Sequence, residues 1–224
     1  RGLGDVYKRQ GVSLPFWRSY DKEDPRREFF YYDYTGDAKR DDQSDYGFHY
    51  MVPEEGVTVV PNDTTKYMQN VATMKYTYDM ISDAYYDGRT ICIFRLSDVI
   101  LCKAEIENNL NGPAAALPYL NQIRARAGAP EYGKHNRFPA PSTKEAMNDA
   151  ILKERGYELV FEFQRRADLI RFGKYEEVVN AHLKKLGIAQ PTNVTSSLRY
   201  FPYPLNDAQL NPNLAAENPS RLPK

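Results

Sequence analysis

The stretch "ERGYELVFEFQRRADLIRFG", residues 154–173, places charged side chains at helical spacing beside a set of apolar ones. Residues three and four apart lie on one face of an α-helix, so the acids and arginines share one face and the leucines and phenylalanines another. The pattern predicts one long amphipathic helix that continues to about residue 172. The charged residues on its face are Glu154, Glu158, Glu162, Arg165 and Asp168.

These five charged residues are predicted to form a structural ion-pair network. The two catalytic carboxylates of a glycosidase face the sugar from separate sides of a cleft, whereas acids four apart on one helix lie side by side. Oppositely charged neighbours on a helix interact by default. We therefore expect Arg165 to pair with Glu158 or Glu162, and we assign no catalytic residue.

The composition argues against several classes of function. The 224 residues include 30 basic and 30 acidic side chains, so no overall charge attracts nucleic acid or an anionic membrane. No apolar run in the sequence approaches the length of a membrane-spanning helix. Cys92 and Cys102 lack the spacing of a zinc site and are expected to be small buried hydrophobes. We predict no metal, no cofactor and no nucleic-acid partner.

Residues 1–90 are predicted to form a loop-rich region with a few short strands. The chain contains 18 tyrosines, 10 phenylalanines and one tryptophan, and more than half of these rings precede residue 90. Glycines and prolines interrupt the segment repeatedly, and short extended pieces are predicted at 28–32, 57–60 and 73–78. Because loops of this length in a compact domain are usually functional, this region is the candidate for ligand binding.

Residues 91–224 are predicted to be mainly α-helical. A short strand at 91–94 leads into a helix whose apolar residues form one buried stripe, and a second helix opens at Pro113 and ends at Gly128. Two helices joined by so short a turn form an antiparallel hairpin of tetratricopeptide length. The stripe of the first helix consists of Leu96, Val99, Cys102, Ile106 and Leu110.

Two more helices and an extended tail complete the predicted region. Ser142 and Glu145 have the spacing of a capping box and would open the helix that contains Glu154. A short helix is predicted at 174–186. The prolines after residue 199 predict an extended strap without helix.

Four blocks of this sequence, in this order, resemble the C-terminal part of the SusD/RagB family of outer-membrane nutrient-binding lipoproteins. The blocks are "FRLSDVILCKAEIENN", "LNQIRARAGAP", "ERGYELVFEFQRRADLIRFGKY" and "YPLNDAQLNPNLAAENP". The segment "PFWRSYDKEDPRREFFYYDYTGD" also resembles the less regular part that precedes them in the family. The order of the blocks is much more specific than any single block.

The resemblance implies a mainly α, SusD-like fold with a tetratricopeptide-type hairpin and a variable loop-rich region. It also implies a non-catalytic protein that is lipid-anchored at the outer face of the outer membrane in relatives of Bacteroides. Such proteins deliver oligosaccharides or peptides to a SusC-like TonB-dependent transporter. Cys92 and Cys102 are interior positions and do not match the family's lipidated cysteine. We expect that cysteine, and therefore any membrane anchor, to lie outside this chain.

Ligand-binding residues have no fixed motif in this family, so the candidates come from sugar chemistry. A sugar ring offers an apolar face of C–H groups and a rim of hydroxyls, which suit an exposed aromatic ring flanked by charged or amide side chains. The alternative for Trp17 is a buried core position, because large aromatic residues usually bury most of their surface. The candidates are Trp17, Arg18, Tyr20, Asp21, Asp45, Tyr46 and Tyr50.

Two other classes of function stay open from the residues alone. A tetratricopeptide-type scaffold would bind a protein partner, although one hairpin is fewer than the three or so repeats that a solenoid needs. A glycoside hydrolase would need two separated carboxylates in an aromatic cleft, and no motif in the sequence marks such a pair.

Overall fold

The structure, a computed structural model, describes residues 11–31, 70–73, 75, 92–185, 194–201, 203–211 and 213. The chain divides into two compact units, residues 1–165 and residues 166–224. The boundary near residue 90 that composition predicted lies inside the first unit. The chain is mainly helical, as the sequence predicted.

A small antiparallel sheet and two short helical segments form the N-terminal part of the first unit. The central strand of the sheet, residues 70–73, pairs with the strands at residues 11–13 and 30–31. Val12 lies opposite Val71, and Phe30 lies opposite Thr73. A 3₁₀ helix, Pro25–Phe29, begins after Asp24, whose carboxylate accepts a hydrogen bond from the backbone N–H of Arg26 at 3.0 Å. The other elements are β1 (Gly11–Ser13), α1 (Leu14–Arg18), β2 (Phe30–Tyr31) and β3 (Asn70–Thr73).

Three further helices are described in the first unit, among residues 92–165: α2 (Leu96–Asn111), α3 (Pro113–Ala127) and α4 (Lys144–Glu158). The predicted hairpin is present, because α2 and α3 are joined by Gly112 alone and pack against each other. Gly128 ends α3 in the left-handed conformation with φ 71°, which a side chain would disfavour. Helix α4 packs against both members of the hairpin.

The face of α2 that is buried differs from the predicted one. Leu96 and Leu110 of the apolar stripe are 72% and 74% exposed, and Val99 and Ile106 are also exposed. The buried residues are Ser97, Asp98, Leu101, Ala104 and Asn108.

Hydrogen bonds explain why this more polar face of α2 is buried. Asp98 accepts from the Arg155 guanidinium at 2.6 Å, and the Asn108 amide donates to the Lys144 carbonyl and to Asn148 at 2.8 Å. Buried polar groups with partners of this kind do not carry the desolvation cost of unpaired ones. The prediction of a buried apolar stripe was therefore wrong.

Two further predictions near α2 need correction. Residues 92–95 form a bend without a strand, although a strand was predicted at 91–94. Cys92 is exposed and Cys102 is half-buried, so the expectation that both are buried was wrong. The Cys102 sulfur lies 3.6 Å from Nη1 of Arg155 and 3.8 Å from Oδ1 of Asp98.

Helix α4 begins one residue later than predicted and ends much earlier. The Thr143 hydroxyl accepts a hydrogen bond from the Ala146 N–H at 3.1 Å, so Thr143, rather than Ser142, is the N-cap. The helix ends at Glu158, and Phe161 and Phe163 in the following turn adopt φ 61°. A new helix, α5 (Arg165–Arg171), follows the turn. The single long helix predicted over this stretch is therefore two helices.

The second unit contains short helices. Helix α6 (Tyr175–Lys185) lies within one residue of the predicted short helix. A 3₁₀ helix, Ser196–Arg199, and α7 (Leu205–Leu210) follow, so the expectation of a tail without helix was wrong. Arg199 pairs with Glu176 through bonds of 2.6 and 3.0 Å, and the Arg166 guanidinium lies 4.8 Å from the centre of the Phe201 ring.

Candidate functional site

The glutamates of the stretch 154–173 form ion pairs with arginine and lysine side chains from distant segments of the chain. Glu154 accepts from Nη1 of Arg26 at 2.6 Å and from Nη1 of Arg124 at 2.8 Å. Arg26 also binds Asp24 through Nε and Nη2 at 2.9 and 2.7 Å. These charges are almost completely buried. The 3₁₀ helix is thereby held against α3 and α4.

Glu158 and Glu162 bind a second group of cations. Glu158 accepts from Arg95 at 2.6 Å, from Arg26 at 3.1 Å and from Arg126. Glu162 accepts from Nε of Arg95 at 2.7 Å and also pairs with Lys75. Burial alone would raise the pKa of Glu158, but the hydrogen bond and charge of Arg95, with the charges of Arg126 and Arg26, hold it below its usual value.

Lys75 and Arg95 also cap the C-terminus of α4. The Lys75 ammonium donates to the carbonyls of Glu158 and Val160 at 2.8 and 3.0 Å, and Nη2 of Arg95 donates to the Glu158 carbonyl at 2.6 Å. The last carbonyls of a helix carry partial negative charge and have no partner within the helix. Here two cations brought in by tertiary structure bind the carbonyl of Glu158, the last residue of α4, and Lys75 also binds that of Val160 in the following turn.

Arg165 and Asp168 make contacts other than those expected. Nη1 of Arg165 donates to the Leu152 carbonyl at 2.7 Å, and its guanidinium lies where a side chain on Gly156 would project, 2.9 Å from an added Cβ. Asp168 accepts from Arg171 at 3.0 Å. The charged residues of this stretch therefore interact mainly with segments that are distant in sequence, and less with one another along a helix.

Trp17 and Tyr20 lie in a buried aromatic cluster with Val12, Phe30 and Tyr157. Trp17 is 5% exposed and Tyr20 is 3% exposed. The rings of Tyr20 and Tyr157 are stacked with centres 4.1 Å apart, and the Arg27 guanidinium lies 4.1 Å from the centre of the Trp17 ring. This position agrees with the core alternative for Trp17 and leaves neither ring as an exposed platform.

Arg18 and Asp21 lie nearer the surface than the two rings. Both side chains are half-buried. Asp21 accepts from the Glu23 N–H at 2.9 Å and from Nη1 of Arg137 at 3.1 Å, which joins the N-terminal segment to the loop 128–142. Asp45, Tyr46 and Tyr50 lie outside the described residues, as does the strand predicted at 57–60.

Two of the predicted ligand residues, Tyr20 and Asp21, line a small cleft of the first unit. The cleft has a volume of about 140 Å³ and receives residues from α3, α4, the loop 128–142 and the segment after α1. This volume is below the roughly 300–1,000 Å³ of pockets that enclose a drug-sized ligand, so the cleft suits one sugar ring or one side chain. Its walls are formed by Ser19, Tyr20, Asp21, Asp24, Arg124, Phe138, Lys153 and Tyr157.

The cleft has an apolar wall and several hydrogen-bonding groups. Phe138 is half-buried and packs edge-to-face against Tyr132 with ring centres 5.5 Å apart. Tyr20 donates to the Tyr157 carbonyl at 3.1 Å, and Tyr157 donates to Ser19. Burial raises the pKa of both phenols, so they stay protonated at physiological pH.

Sequence reasoning missed Phe138, Lys153 and Arg124. A signal for Phe138 was present, since the loop reads "KHNRFPAP" with an aromatic residue between an arginine and a proline. Lys153 and Arg124 had no local signal, because only the packing of α3 against α4 brings them to the cleft.

The described residues bear on two further classes of site. No group of His, Cys, Asp and Glu side chains among them could hold a metal ion. None of the helices described combines the length and hydrophobicity that crossing a membrane requires.

The comparisons with known proteins agree on one family. A model of the SusD family matches residues 13–220. The chain is 39% identical over 120 residues to a SusD-like protein, P25, of Formosa agariphila, covering 54% of this chain and 22% of that protein. It is 28% identical over 137 residues to the starch-binding protein SusD of Bacteroides thetaiotaomicron, covering 60% of this chain and 22% of that protein.

A solved structure is also similar. The crystal structure of a SusD superfamily protein from Bacteroides vulgatus has 29% sequence identity and a TM-score of 0.43, covering 54% of this chain and 25% of that chain. The chain therefore spans about a fifth to a quarter of the length of these relatives.

Proposed function

The chain belongs to the SusD family, and on this basis we propose that it binds carbohydrate for nutrient uptake. The match of the family model over residues 13–220 carries the proposal. The name of one relative, a starch-binding protein, supports carbohydrate as the ligand class. The protein acts at the outer face of the outer membrane, held there by a lipid anchor, and passes its ligand to a SusC-like TonB-dependent transporter. Both of these features come from the family resemblance.

We place one sugar ring of the ligand in the cleft beside Phe138. The half-buried Phe138 ring offers an apolar surface for C–H groups, and Asp21 and Lys153 offer an acceptor and a donor for hydroxyls. Arg18 is half-buried and lies three residues before Asp21 in the sequence, and it stays a candidate for a further contact with the ligand. Trp17 and Tyr20 support the site from the aromatic core. Asp45, Tyr46 and Tyr50 stay candidates for contacts with further sugar units.

In the proposed function, the protein binds its ligand and releases it chemically unchanged. Among the described residues, three carboxylates buried near the cleft are in ion pairs with arginines, namely Asp24, Glu154 and Glu158. A catalytic base needs a free lone pair facing the substrate, and these carboxylates direct theirs to arginines.

Calorimetric titration with a panel of oligosaccharides tests the proposal. We expect at least one glycan to bind, and Phe138→Ala to weaken its binding at least tenfold, about 1.4 kcal/mol. Phe94→Ala, which removes an exposed ring on another surface, is the matched control and should bind as the native chain does. A melt of each variant shows that the chain is folded.

Three results would contradict the proposal. Absence of binding to every glycan in the panel would contradict carbohydrate as the ligand. An equal loss of glycan affinity in Phe138→Ala and Phe94→Ala would contradict the cleft as the binding site. Release of reducing sugar during incubation would favour a glycoside hydrolase instead.

A further inference from the structure

Arg124 brings a buried positive charge to the cleft, and one of its nitrogens lacks an acceptor. Its side chain is 2% exposed. Nε donates to the Pro130 carbonyl at 2.5 Å and Nη1 donates to Glu154 at 2.8 Å. Within the described part of the chain, Nη2 has no hydrogen-bond partner. The guanidinium lies 4.6 Å from the centre of the Phe138 ring and 4.9 Å from that of Tyr132.

Lys153 brings a second positive charge, at the rim of the cleft. Its side chain is exposed, and its ammonium lies 5.7 Å from the centre of the Tyr157 ring. The described residues supply it with no ion pair or hydrogen bond. Partial desolvation and the nearby charge of Arg124 lower its pKa, and Glu154 and Asp21 oppose this change only in part. A negative group placed beside Lys153 would offset both unfavourable effects.

The acids around the cleft are already neutralised. Asp24 binds Arg26 at 2.7 Å, Glu154 binds Arg26 and Arg124, and Asp21 binds Arg137 at 3.1 Å. Among the described residues, the cleft therefore holds two charged donors without a bound acceptor, the Lys153 ammonium and Nη2 of Arg124. Charged donors of this kind form stronger hydrogen bonds with anionic oxygens than with hydroxyls.

We infer that the cleft selects a sugar that carries an anionic group, with Lys153 as the residue that determines this specificity. The inference rests on the proposed function and refines its ligand class to acidic carbohydrate, either a uronate or a sulfated sugar. The anionic oxygens lie against the Lys153 ammonium on the Arg124 side of the cleft, and the ring lies against Phe138. Discrimination against neutral sugars follows because a neutral ligand leaves both charged donors without an anionic acceptor.

The experiment compares ligands that differ in charge alone. Trigalacturonic acid and its methyl ester are titrated into the full native chain, into Lys153→Met and into Lys103→Met. Lys103 lies on α2 outside the cleft, and its change removes another exposed lysine. A sulfated galactose oligosaccharide and its unsulfated counterpart are titrated in parallel, so that the two sources of the anion are distinguished.

We expect the native chain and Lys103→Met to bind the acid at least tenfold more tightly than the ester. In Lys153→Met the two affinities should agree within threefold, because the acid loses much more affinity than the ester. The same pattern for the sulfated pair alone would also support the inference and identify the anion as sulfate.

Other outcomes would overturn the inference. Equal binding of charged and neutral members by the native chain would contradict it and leave the proposed function standing. A preference for the charged members that persists in Lys153→Met would contradict the role of Lys153. Absence of binding to all four ligands and to the glycan panel would overturn the proposed function together with the inference.

Discussion

At the scale of single residues, the main feature of the first unit is a network of buried charges. Arg26 contacts Asp24, Glu154 and Glu158, and Arg95 contacts Glu158 and Glu162. Each buried carboxylate of this set has at least one arginine or lysine partner. Such a network contributes less to stability than its number of bonds suggests, because desolvation offsets the attraction, but losing one partner is costly.

Trp17 provides a test of the aromatic core. Trp17→Ala should lower the free energy of unfolding by about 3–5 kcal/mol, because it removes a large buried ring and leaves a cavity. Urea denaturation measures the change. Phe29→Ala, an exposed ring twelve residues later in the sequence, should cost less than about 1 kcal/mol. An unchanged stability with loss of glycan binding would show that the Trp17 ring faces the ligand.

Glu158 makes stability depend on pH in a definite direction. Its pKa in the folded chain is lowered, so its contribution is complete above the unfolded value of about 4.3 and is lost as the pH falls through the folded value. The melting temperature should therefore fall as the pH decreases below about 4. Glu158→Gln removes this titration. The variant should melt at a lower temperature than the native chain at pH 7, but its melting temperature should fall less between pH 5 and pH 3. An equal fall in melting temperature in the native chain and in Glu158→Gln would mean that other acids control the pH dependence of stability.

At the scale of elements, the break between α4 and α5 shows tertiary contacts overriding helical periodicity. Phe161 and Phe163 adopt left-handed φ values, which cost about 1–2 kcal/mol each for a residue with a side chain. The turn ends α4 where Lys75 and Arg95 bind its last carbonyl, that of Glu158, and it also brings Glu162 to the same two cations. Several charged hydrogen bonds offset the local strain.

The start of α4 allows a direct comparison of the predicted and the observed cap. Thr143→Ala removes the hydroxyl that accepts from the Ala146 N–H and should cost about 1 kcal/mol. Ser142→Ala, one residue earlier, should change the stability by less than about 0.5 kcal/mol. Thermal melts of the two variants provide the measurement. A larger loss for Ser142→Ala would show that the helix begins where the sequence pattern predicted.

At the scale of the whole molecule, the apolar face of α2 is an unusual surface among the described residues. Leu96, Val99, Ile106 and Leu110 are exposed along it, and Phe94 lies exposed just before it. Exposed apolar side chains that recur at helical spacing promote association in water.

We expect the chain to self-associate as its concentration rises. Sedimentation velocity should show Leu110→Glu shifted towards the monomer relative to the native chain, because the new charge would be desolvated in any contact on this face. Asn109→Glu adds the same charge to a neighbouring exposed position outside the stripe and should behave as the native chain does. A monomer at all concentrations, or equal shifts in both variants, would contradict the expectation.

The sequence by itself determined the helical hairpin, the short helix at 175–185 and the family, because each depends on residues that are close together or in a fixed order. Gly112, Pro113 and Gly128 mark the ends of the hairpin helices through their own backbone preferences. Tertiary structure alone decided which face of α2 is buried, where α4 ends, which cations bind Glu154, Glu158 and Glu162, and that Lys153 and Phe138 share a cleft with Asp21. These features depend on pairs such as Arg26 and Glu154, which are 128 residues apart, and helical periodicity carries no information about such distant partners.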